Sequence, residues 1–170
     1  IMDTQELLQQ ALEIVKEWTI EVSQPEENRR DIYIDARDIK PAVKALLIDS
    51  HWGYLSAITG LDSPDYEIDE ETKERKVDPQ KGKLEVLYHF CNKAAIATLR
   101  VRLPYTDAEI DSICDMLPSA SFYEREAMEL IGVNFRNTPI ADHLILPENW
   151  PAGVYPLRKA FKGLEKKTQG

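Results

Sequence analysis

The sequence LEVLYHFC-NKAA-IATLRVRL, residues 84–103, decides the fold. Its two eight-residue segments are rich in the β-branched and aromatic side chains that strands favour. Asn92, Lys93 and two alanines separate them. Because so short a connection leaves no room for a crossover, the segments at residues 84–91 and 96–103 are predicted to pair as an antiparallel hairpin.

Upstream of this hairpin the sequence predicts two helices and three further strands. Asp3 and Glu6 have the spacing of a capping box, and Asp38 is the predicted cap of the second helix. Apolar residues recur at helical spacing after each cap: Leu7, Ala11, Ile14, Val15 and Trp18, then Ile39, Val43, Leu46 and Leu47. The strands are predicted at residues 19–22, 31–36 and 54–62, with a turn at residues 25–28.

Two segments near the hairpin lack a strand pattern. Residues 62–78 contain eight acidic and three basic side chains without periodicity, which predicts an exposed, mobile loop. Residues 108–116 have a short helical pattern.

A third helix is predicted at residues 122–131, with Ser121 and Glu124 as a second capping box and Gly132 as the C-terminal glycine. Its predicted apolar face consists of Tyr123, Ala127, Leu130 and Ile131. Beyond Gly132 no regular element is predicted, because prolines recur at positions 139, 147, 151 and 156. A tail of this kind must lie across its own domain or across a partner.

These elements predict an α+β chain of one domain, with helices packed on a small mixed or antiparallel sheet. Residues 1–136 form the predicted domain, and residues 137–170 form an extended, proline-rich and basic tail that contacts a partner. The basic side chains of its last part are Arg158, Lys159, Lys162, Lys166 and Lys167.

Composition excludes several classes of protein. The net charge of −9 and the pI of about 4.9 argue against a nucleic-acid partner, since such proteins neutralise phosphates with clustered Lys and Arg. No apolar run approaches the roughly 18 residues of a membrane span. The first residues lack the basic-then-apolar layout of a signal peptide. We therefore expect a cytoplasmic chain without membrane insertion.

The sequence offers no convincing catalytic, cofactor or metal site. Cys91 and Cys114 cannot supply the four thiolates of an iron–sulfur cluster, and both are expected to be buried. His89 lies on one strand face with Cys91 but lacks a second ligand pair, so a structural histidine is expected. Glu124 and Glu126 point about 200° apart on a helix and cannot converge on one bond.

Three hypotheses remain at this point. The chain is a docking subunit, a small enzyme that uses Glu124 and Glu126 or His89 and Cys91, or a regulatory module that uses residues 62–78 or the basic tail. The absence of a converging site favours docking.

The segment SFYEREAMELIGVNF, residues 121–135, resembles the signature of the thirty-kilodalton subunit of respiratory complex I, the NADH–quinone oxidoreductase. The positions in register are Tyr123, Glu124, Arg125, Glu126, Glu129, Gly132 and Phe135. Residues 55–62, 144–147 and the PLRKAF segment at residues 156–161 also resemble family segments. The resemblance extends over residues 38–162.

Three departures from that pattern resemble the related component of membrane-bound, energy-converting nickel–iron hydrogenases. They are Asn137-Thr138 for Gly-His, Asp142-His143 for paired arginines, and Ala160 for Asp. The resemblance implies an α+β accessory subunit that holds no cofactor and has no activity of its own. It implies as partners the large catalytic-type subunit, of the complex I forty-nine-kilodalton or hydrogenase large-subunit type, and neighbouring iron–sulfur subunits on the cytoplasmic side of the membrane.

The expected contacts with these partners come from the third helix and the tail. Arginine side chains there suit bidentate pairing with carboxylates. The candidate interface residues are Tyr123, Glu124, Arg125, Glu126, Glu129, Trp150, Leu157, Arg158, Lys159 and Phe161.

Overall fold

The predicted hairpin is the centre of a five-stranded mixed sheet in the computed structural model, which describes residues 2–164. The strands are β1 (Glu21–Glu26), β2 (Arg29–Tyr33), β3 (Tyr54–Ile68), β4 (Arg75–Asn92) and β5 (Ala95–Pro104), in the spatial order β1-β2-β5-β4-β3. Within this sheet the β2–β5 pair is parallel and the other pairs are antiparallel. A separate parallel pair joins β6 (Glu109–Asp111) to β7 (Asn134–Arg136). The α+β prediction is confirmed.

Three helices cover one face of the sheet. They are α1 (Thr4–Ile14), α2 (Ile39–Val43, continued as a π-helical stretch over Lys44–Asp49) and α3 (Ala120–Ile131). Alternate side chains of the strands, such as Tyr88, Phe90 and Leu99, are fully buried against them. Trp52 follows α2 and donates its indole N–H to the carbonyl of Leu7 at 3.0 Å, so the turn after α2 is tied to α1.

The opposite face of the sheet carries a network of charged and polar side chains. Arg100 bridges Asp31 at 2.9 Å and Glu85 at 2.5 Å. His89 lies between the hydroxyls of Thr59 and Thr98, at 3.1 and 3.0 Å. Burial lowers the pKa of His89, so its neutral form is favoured near pH 7. The expectation of a structural histidine is confirmed.

Local signals placed the first helix correctly and the second helix partly. Asp3 and Glu6 form the predicted capping box, with both reciprocal hydrogen bonds present. Asp38 makes no side-chain cap. Asp35 accepts instead from the N–H of Arg37 and starts a 3-10 turn that leads into α2. The predicted strands at residues 19–22 and 31–36 are displaced, and the turn between them is at residues 27–28.

Residues 62–78 are not a loop, which corrects the sequence prediction. β3 and β4 continue through this segment as a two-stranded ribbon, with Tyr66 opposite Val77 and Ile68 opposite Arg75. Asp69 closes the turn of the ribbon by accepting from two backbone N–H groups and from Lys76. The high charge obscured the alternation of apolar side chains on one strand.

Residues 108–116 are also not helical, and a strand exists after Gly132. Ile110 lies in β6 and Phe135 in β7, directly opposite each other. Arg136 donates to Asp111 at 3.0 Å across the same pair. Since the two strands are far apart in the sequence, the local pattern could not reveal their pairing.

We predict that Gly132→Ala lowers the free energy of unfolding by about 2 kcal/mol or more. Gly132 ends α3 with a φ of 86°, where an added Cβ would lie 2.6 Å from the ring of Tyr155. Gly153 is the matched control, since its φ is 76° and nothing lies within 4 Å of its added Cβ. Urea denaturation should therefore give a smaller loss, about 1 kcal/mol, for Gly153→Ala. Equal losses for the two variants would contradict the predicted contact.

Candidate functional site

Helix α3 begins and ends differently from a capped surface helix. Ser119 is its N-cap and makes no side-chain hydrogen bond, so the predicted capping box of Ser121 and Glu124 is absent. At the other end Gly132 adopts the left-handed conformation and donates its N–H to the carbonyls of Ala127 and Met128. The predicted C-terminal glycine is confirmed.

Glu124 is fully buried and binds the segment that precedes α3. Its carboxylate accepts from the Ser112 hydroxyl at 2.7 Å, the Ile113 N–H at 2.9 Å and the Cys114 thiol at 3.2 Å. These donors replace the capping role expected of Glu124. Burial first, and then the contact with Glu124, raise the pKa of Cys114 to about 11, so the thiol remains protonated. Glu126 is exposed, so the two carboxylates do not converge.

Arg125 and Glu129 hold the tail against the outer side of α3. The Glu129 carboxylate, with only 8% of the residue exposed, accepts from the N–H groups of residues 144, 145 and 146 at 2.6–3.3 Å. His143 contacts the same carboxylate through Nδ1 at 3.0 Å. Arg125 donates to the carbonyls of Asp142 and His143 at 3.0 and 2.9 Å. One carboxylate and one guanidinium therefore order residues 142–146.

Arg158 attaches the later part of the tail to the end of α3. Its Nε donates to the carbonyl of Ile131, and the neighbouring Leu157 N–H donates to the carbonyl of Leu130 at 3.0 Å. These are carbonyls that a helix leaves without partners at its C-terminus. The guanidinium also lies over the rings of Tyr105 and Tyr155, at 4.8 and 5.3 Å. The tail is thus held at two places on one helix.

Asp62 and two tryptophan contacts complete the attachment. The buried Asp62 carboxylate accepts from the Lys159 N–H at 2.7 Å and from the Tyr105 hydroxyl. Trp150 packs on Phe161 with ring centroids 6.2 Å apart and donates to the Val154 carbonyl at 2.7 Å. Residues 137–164 therefore lie across their own domain without helix or strand. Lys166 and Lys167 of the predicted basic stretch lie outside the described residues.

The predicted interface residues fall into three groups. The carboxylates of Glu124 and Glu129 are buried, and the side chains of Arg125 and Arg158 are half-buried and bonded within the chain. Tyr123, Trp150 and Phe161 are half-buried, and the Tyr123 hydroxyl donates to the Ser56 carbonyl. Glu126, Leu157 and Lys159 are exposed. The sequence did not reveal that most of the charged candidates already have intramolecular partners.

The attached tail displays apolar side chains that sequence reasoning missed. We call the following set the tail surface: Phe122, Ile140, Leu144, Ile145, Leu157 and Leu164, whose exposed fractions range from 38% to 61%. Phe122 was hidden within the motif of α3, and the others lie in a segment without periodicity. Their only signal was the recurrence of large apolar residues between prolines.

Two hollows beneath the tail have polar linings that are already bonded. One of about 420 Å³ is lined by Asp62, Tyr105 and Arg158 among others, and one of about 440 Å³ by Arg125, Glu129 and others. Among residues 2–164 no three His, Cys, Asp or Glu side chains are grouped as a metal site. Within the same range no helix has the length and apolar character to cross a membrane.

Comparison with known proteins gives a family. The model of the respiratory-chain NADH dehydrogenase 30 kDa subunit matches residues 32–167, which confirms the resemblance expected from residues 121–135. The C subunit of the F(420)H(2) dehydrogenase of Methanosarcina mazei is 30% identical over 138 residues, covering 80% of this chain and 77% of that protein. The beta subunit of the membrane-bound hydrogenase of Pyrococcus furiosus is 36% identical over 64 residues, covering 38% and 37%.

Solved structures agree on the fold. A chain of the membrane-bound sulfane sulfur reductase, an archaeal respiratory membrane complex, superposes with a TM-score of 0.63 at 23% identity and covers 94% of this chain and 86% of that one. Several further relatives are named as the C/D subunit of an NADH-quinone oxidoreductase, and this chain spans only 15–21% of their length.

We predict that Glu129→Gln detaches residues 142–146. Both carboxylate oxygens accept hydrogen bonds, so an amide would turn its NH₂ group toward a donor. A hydrogen bond to a charged group contributes about 1.5–3 kcal/mol, and amide hydrogen exchange at residues 144–146 should accelerate about ten- to a hundredfold. The control is Glu126→Gln, an exposed position on the same helix. Unchanged exchange in Glu129→Gln would show that the carboxylate does not hold the tail.

Acid should release the same segment. Burial raises the pKa of Glu129, but His143 and the three N–H groups outweigh it and bring the pKa below the ordinary value of 4.5. Such a group stabilises the fold above its unfolded pKa, and the contribution is lost as pH falls through the folded pKa. Protection at residues 144–146, corrected for intrinsic exchange, should be constant near pH 7 and fall below about pH 4.5. A wild-type profile that matches the Glu129→Gln profile would refute this.

Proposed function

Because the chain belongs to the family of the respiratory-chain NADH dehydrogenase 30 kDa subunit, we propose that it docks within a complex I-like oxidoreductase. In this proposal it does no chemistry of its own and supports the catalytic subunits. One observation carries the proposal. A tail without helix or strand is held in a fixed course by charged side chains and displays the apolar tail surface to solvent.

The attachment of the tail favours binding to a partner. Ordering a free segment during association costs free energy, and a segment that is already held avoids part of that cost. Glu129 and Arg125 hold residues 142–146, from which Leu144 and Ile145 project with 38% and 55% exposure. Exposed apolar residues next to polar ones are typical of protein–protein contacts. We assign the contact itself to the tail surface.

The predicted interface residues then have two kinds of role. Glu126, Leu157 and Lys159 are exposed and would contact the partner directly, together with the edges of the half-buried Tyr123, Trp150 and Phe161. The remaining candidates act through the course of the tail that they fix, namely Glu124, Arg125, Glu129 and Arg158. Substituting one of these four would weaken docking by displacing the tail surface.

The proposed partners are the large catalytic-type subunit and neighbouring iron–sulfur subunits. Relatives with the double letter C/D support the first of these, since a single chain there carries both subunit letters and this chain matches only a minor part of it. The net charge of −9 disfavours nucleic acid. We place the chain at the cytoplasmic side of the membrane, attached through its partners.

The equivalent subunit of a membrane-bound, energy-converting hydrogenase is the second candidate. The relative from Pyrococcus furiosus and the departures at residues 137–138, 142–143 and 160 favour it. His143, at one of the departures, is paired with Glu129, so the altered pair still supplies a contact to this carboxylate. The two candidates share the docking role and differ in the identity of the large subunit.

We predict that Ile145→Ser/Leu157→Ser lowers recovery of the large subunit about tenfold or more when the tagged chain is purified from gently solubilised membranes. Each side chain, if central to the contact, would contribute more than about 1 kcal/mol to binding. The matched control is Ile20→Ser/Ile48→Ser, since Ile20 and Ile48 are 71% and 45% exposed outside the tail surface. Mass spectrometry identifies the large subunit and so decides between the two candidates.

Two outcomes would contradict the proposal. Recovery of the native chain alone would mean that it is not a docking subunit. Undiminished recovery with Ile145→Ser/Leu157→Ser would mean that docking uses a different surface. Glu129→Gln provides an independent arm, because it displaces the tail surface without removing any apolar side chain.

A further inference from the structure

The ribbon formed by β3 and β4 extends beyond the rest of the sheet. β5 pairs with β4 only from Lys83, which lies opposite Pro104, so residues 63–82 have no third strand beside them. We call residues 63–82 the arm. A two-stranded hairpin is marginally stable in water unless further contacts support it. The contacts that hold the arm and the surfaces that it leaves open therefore decide its role.

Two aspartates fix the shape of the arm. Asp69 accepts from the N–H groups of Glu71 and Thr72 and from Lys76 at 2.6 Å, and the Lys76 contact is the main cause that lowers the pKa of Asp69 to about 2. Asp78 accepts from the N–H groups of residues 80 and 81 and pairs with Lys81 at 3.0 Å. The arm thus has a closed turn at one end and a closed bend near the sheet.

One face of the arm is apolar and uncovered. Tyr66 and Ile68 are two residues apart on β3 and share a face, with 40% and 69% of their surfaces exposed. The guanidinium of Arg75 lies 3.9 Å from the ring centroid of Tyr66. Ile68 is among the most exposed large apolar side chains of residues 2–164.

The carboxylates around this face have no cation of their own. The exposed acids that form no ion pair with another side chain of residues 2–164 are Asp65, Glu67, Glu70, Glu71 and Glu74. Lys76 and Lys81 are already paired with Asp69 and Asp78. The arm therefore presents an apolar pair within a negative field, and anionic lipids or nucleic acids would be repelled by it.

We infer that the arm is a second docking surface, whose occupant is a lysine- and arginine-rich surface of another subunit with an apolar depression for Tyr66 and Ile68. The inference rests on the proposed function, since it requires a parent assembly, but it uses residues distant in sequence from the tail surface. Charge complementarity selects the partner and steers association, and the apolar pair supplies the buried centre of the contact.

The test uses the assembly that co-purifies with the tagged chain. Carbodiimide coupling joins carboxylates directly to lysine amines, and mass spectrometry should find the arm carboxylates linked to lysines of one other subunit. Glu67→Lys/Glu70→Lys/Glu71→Lys should lower recovery of that subunit about tenfold, and Ile68→Ser about fivefold. The matched controls are Glu17→Lys/Glu26→Lys/Glu27→Lys and Ile20→Ser, all at exposed positions, and they should leave recovery unchanged.

The outcomes separate this inference from the docking proposal. If the large subunit is recovered normally while the arm gives no links and its variants behave like the controls, the arm inference is wrong and tail docking stands. Links between two copies of the chain, or links to a subunit whose linked surface is acidic, also overturn it. Recovery of the chain alone contradicts both, since no partner for the arm exists. Thermal unfolding of each variant verifies that the domain is intact.

Discussion

The Glu129 carboxylate is the point on which the outer half of the molecule depends. A buried charge is costly unless hydrogen bonds replace the water that it loses, and here three backbone N–H groups and one imidazole do so. The requirement works in both directions. The carboxylate needs the tail backbone as donors, and the tail has no ladder of its own to satisfy those N–H groups. Neither partner is satisfied without the other, so the helix and the tail form one structural unit.

The same mutual dependence explains the other charged residues of α3. Glu124 points inward and fixes residues 112–114, while Arg125 and Arg158 bind main-chain carbonyls of the tail and of the helix end. A motif dense in charge on a predicted helix looks like a surface for another protein. In this fold most of its members bind backbone atoms of the same chain, and the apolar residues between them are left for contacts with other molecules.

The sequence predicted the elements whose causes are local. The capping box of Asp3 and Glu6, the hairpin of residues 84–103 and the glycine at the end of α3 each depend on a few neighbouring residues. The family was also predictable, because its motif is continuous. Elements with distant causes were missed or misplaced. β6 forms only when residues 134–136 lie beside it, and Glu124 leaves its expected capping role only because residues 112–114 bring three donors to it.

The arm shows a different reason for a missed element. Its charge suggested a disordered loop, but the pairing of β3 with β4 is set by backbone hydrogen bonds and by the register of the hairpin that continues from the sheet. Exposed acidic side chains tolerate such pairing as long as they point away from each other. Composition reports how a segment is solvated, and pairing depends on what the adjoining strand offers.

The parallel contact between β2 and β5 has a consequence for the order in which this fold is made. Arg29 lies opposite Ile96, so the strand that completes the N-terminal part of the sheet is synthesised long after it. Before β5 leaves the ribosome, β1 and β2 are a lone hairpin, and α1 and α2 have no sheet of more than two strands on which to bury their apolar faces. β4 and β5 can pair as soon as both are made, because their connection is short. The first third of the chain therefore waits for the middle, and folding of this protein is completed from its centre outward and backward toward its beginning.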